Sequence, residues 1–242
     1  ELISDEILEQ RRLQRTEPTE ETIEVLKDGM ATIQYLQGLC ENHYRPAQDM
    51  LRTQAGHAGS VDIIKAVTDL ALLVCRDSAI VANLSDTELE VVTCIFEFLS
   101  DAMQGPCPDN QEQIARSDAI VAISNMLLST EELEVRFAAV CMLKSCLEGR
   151  EDEVVHQTLG SNVEAIMLEQ YQSNLLELAK KLHKKMRKDD DAKDQLEDVM
   201  DGIVSVKTIE AELSTTDAYI EQKEGVEADK QDGGDMLRPR NL

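Results

Sequence analysis

Apolar positions recur at intervals of three and four along most of the chain. Ile23, Leu26, Met30, Ile33, Leu36 and Cys40 form one such stripe, the spacing of a helix that buries a single face. Ile64, Val67, Ala71 and Val74 form a second, and Leu89, Val92, Ile95, Phe96, Leu99 and Met103 a third. Phe137, Val140, Cys141 and Leu147 continue the pattern. The longest run is Ile166, Met167, Tyr171, Leu175, Leu178, Leu182 and Met186. Residues 1–15 hold a shorter version, with Ile3, Ile7 and Leu8 on one face. No strand-like alternation precedes residue 200. Ile203, Val204, Val206 and Ile209 fit either a short strand or a helix beginning near Lys193. The expected fold class is all-α.

Punctuation between the stripes agrees with that pattern. Pro18 breaks the chain, and Thr19 before Glu20 and Glu21 reads as a helix N-cap with acids on its positive end. Pro46 suits the first turn of a helix that carries Met50 and Leu51 and stops near Gly56 and Gly59. Ser60 is expected to cap the helix after it. Capping boxes are expected at Ser85–Glu88, Ser129–Glu132 and Ser161–Glu164. Gly105, Pro106 and Pro108 end the third long helix. Shorter helices are expected at about 111–116 and 118–128, and a short piece around Val154 and Val155 ends at Gly160.

Two corners share a pattern. Leu36-Gln37-Gly38-Leu39-Cys40-Glu41-Asn42-His43 and Gln104-Gly105-Pro106-Cys107-Pro108-Asp109-Asn110-Gln111 each follow an apolar helix and precede a shorter one. Each holds Gln-Gly, then Cys, then Asn, so Asn42 and Asn110 are expected to occupy equivalent places and to hydrogen-bond turn backbone. Cys40, Cys107 and Cys146 each end a long apolar helix, at unequal intervals. The second interval is close to the ~40 residues of armadillo-type repeats. Armadillo-like stacked helices, an α-solenoid segment, are therefore expected.

Both corners resemble a known family. LQGLCENHYRPAQDMLRTQ and QGPCPDNQ are similar to two signatures of the homology-associated domain shared by inositol trisphosphate receptors and ryanodine receptors. The resemblance runs from about Thr22 to about Lys188. It implies a cytosolic, non-catalytic segment lying between regulatory solenoids and the transmembrane pore of an intracellular calcium-release channel. Its work would be to pass conformational change toward the gate through packed helices. Implied partners are the other domains of the parent channel, itself a homo-oligomer on the cytosolic face of an endoplasmic reticulum-type membrane. Ligand recognition in that family lies in an amino-terminal region that this chain does not show. The rival reading is a free-standing armadillo-like adaptor that binds a basic or helical peptide.

Composition narrows the picture further. The chain of 242 residues has 42% hydrophobic content, 3% aromatics and no Trp. Its core must therefore be aliphatic, which suits stacked helices. A net charge of −24 speaks against nucleic acid, whose phosphates would be repelled. No secretory signal opens the chain and no apolar run reaches ~18 residues. No membrane contact is expected of the segment itself. An opening on Glu1 rather than Met is expected of a piece of a longer protein. Six scattered cysteines on apolar faces read as buried free thiols in a reducing compartment.

The organisation expected is a short N-terminal helix and linker at 1–18, the homology-associated domain at 19–188 and an acidic, partly disordered tail at 189–242. The tail holds 16 Asp and Glu against 6 Lys and Arg, and disorder is expected past Thr215.

Candidate chemistry is sparse. Cys40 and His43 invite zinc, but no matching ligand pair accompanies them. A buried Cys at a helix end fits better, with Glu41, Asn42 and His43 serving the turn. A cysteine nucleophile with His43 or His156 as base lacks an oxyanion element, so no enzyme and no cofactor are expected. Asp189, Asp190, Asp191 and Asp194 suggest calcium, yet the glycine and glutamate that an EF-hand loop requires are missing. Lys180, Lys181, Lys184, Lys185, Arg187 and Lys188 stand out in an acidic protein. They read either as cations closing a long helix or as a docking patch for an acidic helical partner of the calmodulin kind.

Overall fold

The first long stripe forms helix α1 (Glu20–Gly38), entered through Thr19, whose hydroxyl accepts from the Thr22 N–H at 3.2 Å. A single 3-10 turn (Glu41–His43) leads into α2 (Arg45–Arg52). There follow α3 (Ile63–Cys75), α4 (Ser78–Val81), α5 (Asp86–Met103), α6 (Pro108–Ala115), α7 (Ala119–Ser129), α8 (Leu133–Leu147), α9 (Glu153–Asn162), α10 (Ala165–Lys185) and α11 (Asp191–Leu213). A last helical stretch covers 217–224. The computed structural model describes residues 19–75, 78–130, 132–150, 153–185 and 191–224, and no strand occurs among them. The helix expected at 1–15 and residues 225–242 lie outside the described residues. No helix among the described residues is long and apolar enough to cross a membrane.

The chain divides into two compact units, 1–155 and 156–242. In the first, α5 is the central helix, packed against α1 and α8, while α3 packs on α5 and α7. The sequence explains that place. Residues Val91, Val92, Cys94, Ile95, Phe96, Phe98, Leu99, Ala102 and Met103 are all buried, so α5 is apolar around most of its circumference and can serve neighbours on more than one side. Ile64, Val67, Ala71 and Val74 on α3 are buried as their spacing predicts. This is an all-α stack.

Several helix starts differ from expectation. The Ser85–Glu88 capping box is present with both its bonds. The box at Ser129 does not form. Ser129 ends α7, α8 begins at Leu133, and the Thr130 hydroxyl accepts from the Glu132 N–H at 3.2 Å instead. Nor does Ser60 cap α3, because its hydroxyl is taken up by Gln54 at 3.0 Å. Asp62 does that work, accepting from the Lys65 N–H at 2.8 Å. Ser161 lies inside α9, its hydroxyl donating to the Gln157 carbonyl.

The second unit holds the packed pair α10 and α11, with the 217–224 segment following α11. On α10, Met167, Tyr171, Leu175 and Leu182 are buried, whereas Ile166, expected in that stripe, is exposed. Continuity of α11 resolves the open reading of 203–209 as helix. Ala192, Val199, Ile203, Val206, Ile209 and Leu213 make a buried stripe beneath an acid-rich composition. Order also outlasts Thr215: Thr216 is buried, and Tyr219 is fully buried. Helix therefore continues past Thr215, where the composition suggests disorder.

Gln222 explains part of that order. Its carbonyl oxygen accepts from the Ala165 N–H at 3.1 Å, and its amide donates to the Gly160 carbonyl at 3.1 Å. A residue 57 positions downstream therefore satisfies the start of α10 and the end of α9 together. Gly160 is pressed against Thr216, where a Cβ would overlap the hydroxyl. Replacing Gln222 with Ala should cost about 1–2 kcal/mol, the range for a lost cap. Hydrogen exchange at the first turn of α10 should rise with it. Unchanged exchange there would show that the cap is dispensable.

Candidate functional site

The two corner stretches, far apart in sequence, meet in one junction. At the first, the Leu39 and Cys40 N–H groups close on the carbonyls of Leu36 and Gln37. Asn42 (φ 57°, ψ 28°) and His43 (φ 55°) then take successive left-handed conformations. That region is costly for residues with a Cβ, and Asn is among those that tolerate it best. The chain leaves through extended Tyr44 into α2, with Pro46 in its first turn as expected. At the second corner, Gly105 (φ 87°) follows the last turn of α5, and the Cys107 N–H reaches back to the Met103 carbonyl at 2.8 Å. Pro108 opens α6.

Side chains of α2 hold the two together. Buried Gln48 donates from one amide nitrogen to the carbonyls of Asp101 (2.8 Å) and Gln104 (2.9 Å). These carbonyls at the end of α5 have no partner within the helix. Fully buried Asn110 donates to the carbonyls of Gln48 (3.1 Å) and Ala102 (2.9 Å) and accepts from Arg52 Nε at 3.2 Å. Arg52 also pairs with Asp109 at 2.9 Å. Arg45 donates to the Pro106 carbonyl at 3.1 Å and pairs with Asp49. Gln37 donates to the Asp101 carboxylate at 2.7 Å. Gly105 sits so close to the His43 Cβ that no side chain fits there.

The same device recurs one step along the stack. Gln111, also fully buried, donates to the carbonyls of Ser145 (2.9 Å) and Glu148 (2.8 Å) at the end of α8. Gly149 (φ 65°) follows that helix as Gly105 follows α5, and it lies against Pro106 as Gly105 lies against His43. Arg150 donates to the Pro108 carbonyl at 2.7 Å. The repeating unit is thus a Pro-opened short helix whose Gln, two or three residues later, closes the end of a long helix farther along the chain. Gln48 and Gln111 are its equivalent positions. Asn42 and Asn110 are not: Asn42 is exposed and serves through its backbone angles, while Asn110 is a buried side-chain bridge. The sequence signal is the pair RPAQ and PDNQ after a helix end.

The other expected residues fall as follows. Cys40 and Cys107 are buried; Glu41, His43 and Pro106 are exposed. Burial pushes the Cys40 thiol up to about 11, helped by Asp101. It does the same to Cys94, to about 11, and to Cys146, to about 12. Cys107 is raised by burial too, against the opposing pull of the Asn110 backbone and of Arg45 and Arg52. Such thiols stay protonated near neutral pH, which makes them poor nucleophiles and poor metal ligands. Of the basic patch, Lys180, Lys181 and Lys184 are exposed near the end of α10, and none takes part in an ion pair among the described residues. Lys185 closes α10, and Arg187 and Lys188 lie outside the described residues. The junction lies in the first unit and the patch in the second.

Residues 22–127 match the family described as RyR and IP3R Homology associated. The match begins where the resemblance in the sequence begins and ends within α7, inside the first unit. It contains both corners, Gln48, Asn110 and Gln111.

Proposed function

From a chain that carries a RyR and IP3R homology associated domain at residues 22–127, we propose a mechanical role within an intracellular ligand-gated calcium-release channel. The segment couples movement of neighbouring cytosolic domains to the pore and performs no catalysis. The observation that carries this reading is the interlocked corner. Gln48 and Gln111 each tie a short helix to the end of a long one farther along the chain, so displacement of α1 and α2 is handed to α5 and then to α8 rather than absorbed in a loop. A stack joined only by apolar contact would slide more readily, because such packing is not directional.

The partners in this reading are other domains of the parent channel in a homo-oligomer at an endoplasmic reticulum-type membrane. The test uses the full-length parent protein in calcium-loaded vesicles. Replacing Arg52 with Ala removes the Asn110 and Asp109 contacts while leaving the buried glutamines in place. It should lower ligand-evoked calcium efflux several-fold with ligand binding unchanged. Efflux equal to wild type would remove the coupling role, and a parent protein that releases no calcium would remove the channel reading altogether.

A further inference from the structure

A cleft of about 410 Å³ opens on the first unit between α1, α5 and the start of α8. Its floor is apolar, with Met30, Leu89 and Val135. Around that floor stand five carboxylates: Asp86, Glu90, Glu97, Glu132 and Glu134. Helix starts account for some of them, since Asp86 and Glu134 lie in first turns where the dipole favours negative charge. Glu90 and Glu97 lie beyond the first turn of α5 and have no such compensation. None of the five takes part in an ion pair among the described residues. The Glu97 carboxyl is pushed above its ordinary range by burial and by Asp101 and Glu134.

The complement is on the same chain. The outer face of α10 in the second unit sets Leu176, 41% exposed, one turn before Lys180 and two turns before Lys184, with Lys181 beside them. Positions four apart lie on one line of a helix, so an apolar anchor is followed by two ammonium groups in a row. On the same helix Met167, Leu168, Tyr171, Leu175 and Leu182 are buried. Leu176 and the three lysines are exposed, and the lysines take part in no ion pair among the described residues.

We propose that the acidic cleft receives the Leu176–Lys184 face of α10 from a second copy of this chain, the leucine on the apolar floor and the lysines among the carboxylates. The contact is head to tail: it joins the first unit of one copy to the second unit of the next, and closes a ring or grows open-ended rather than stopping at a symmetric pair. It does not depend on the channel reading. A net charge of −24 opposes association at long range, so the contact is weak and confined to the patch, and its strength falls with salt.

Sedimentation of the full chain tests this. In low-salt buffer the weight-average mass should rise with concentration, and the rise should vanish near 1 M salt, where screening shortens to about 3 Å. Lys180→Glu, Lys181→Glu and Lys184→Glu together should weaken association at least tenfold. So should Glu90→Lys with Glu134→Lys. All five positions are exposed, and unchanged circular dichroism checks that folding is kept. Should the lysine pair unfold the first unit, Glu90→Gln with Glu134→Gln replaces it, with a smaller loss. General repulsion could weaken either variant alone, so the decisive arm is the mixture. The acidic-faced variant presents an intact cleft and the basic-cleft variant an intact α10, so together they should associate again. A chain that stays monomeric in low salt, or a mixture that stays as monomeric as its components, overturns the proposal.

Discussion

Replacing Gln48 with Ala should destabilise the first unit by about 3 kcal/mol. One buried amide nitrogen serves two carbonyls that end α5, and Ala would leave both without a donor. An unsatisfied buried group costs about 1–3 kcal/mol, and the space left by the lost side chain adds to that where water cannot fill it. Gln111→Ala should cost a similar amount at the end of α8, since it serves the Ser145 and Glu148 carbonyls in the same way. Asn42→Ala should cost only about 1 kcal/mol, because the exposed side chain is not part of the bridge and only its tolerance of the left-handed region is lost. Urea denaturation of the chain gives the sizes, and hydrogen exchange in the last turns of α5 and α8 locates them. Equal costs at Asn42 and Gln48 would show that the equivalence lies in the Asn residues after all. A small cost at both glutamines would show that the junction is not held by side-chain amides.

That contrast marks where the sequence was legible. Long stripes at three- and four-residue spacing gave α1, α3, α5, α8 and α10 as helices, because burial on one face repeats every turn and leaves a strong signal. The Ser85 capping box was legible for a similar reason: both of its bonds run between residues three apart. The boxes at Ser129 and Ser161 failed because a cap competes with whatever else can satisfy the same helix start. At α10 the competitor is Gln222, which no local pattern could reveal. Composition misled in the tail, where exposed acids on α11 accompany a buried apolar stripe on the same helix. The corners were found, but aligned on the wrong positions. Gln-Gly, Cys and Asn match by identity, whereas the working correspondence is Pro followed by Gln, set by which side chain can reach the open carbonyls of a helix packed beside it. Such a reach crosses more than 50 residues at Gln48. The cleft had no sequence signature, because its carboxylates come from two helices that only packing brings together.

Gly105→Ala should have the largest effect of any single methyl added to the chain, about 4 kcal/mol. Two costs combine at this position. Its φ of 87° lies where a residue with a Cβ is strained, which accounts for about 1–3 kcal/mol. The new methyl would also overlap the His43 side chain at its root, where no rotamer change can relieve it, and overpacking of that kind costs typically about 1–3 kcal/mol more. Gly56 supplies the control. Its φ of 84° is nearly the same, but nothing lies within 4 Å of the Cβ position, so Gly56→Ala should show the strain alone. Pairing Gly105→Ala with His43→Gly removes the colliding Cβ and should restore about 1–3 kcal/mol beyond the sum of the separate changes. His43 is itself left-handed, so glycine there introduces no new strain. If Gly105→Ala and Gly56→Ala cost the same, or if His43→Gly restores nothing, the two corners are not in the close contact that would let one move the other.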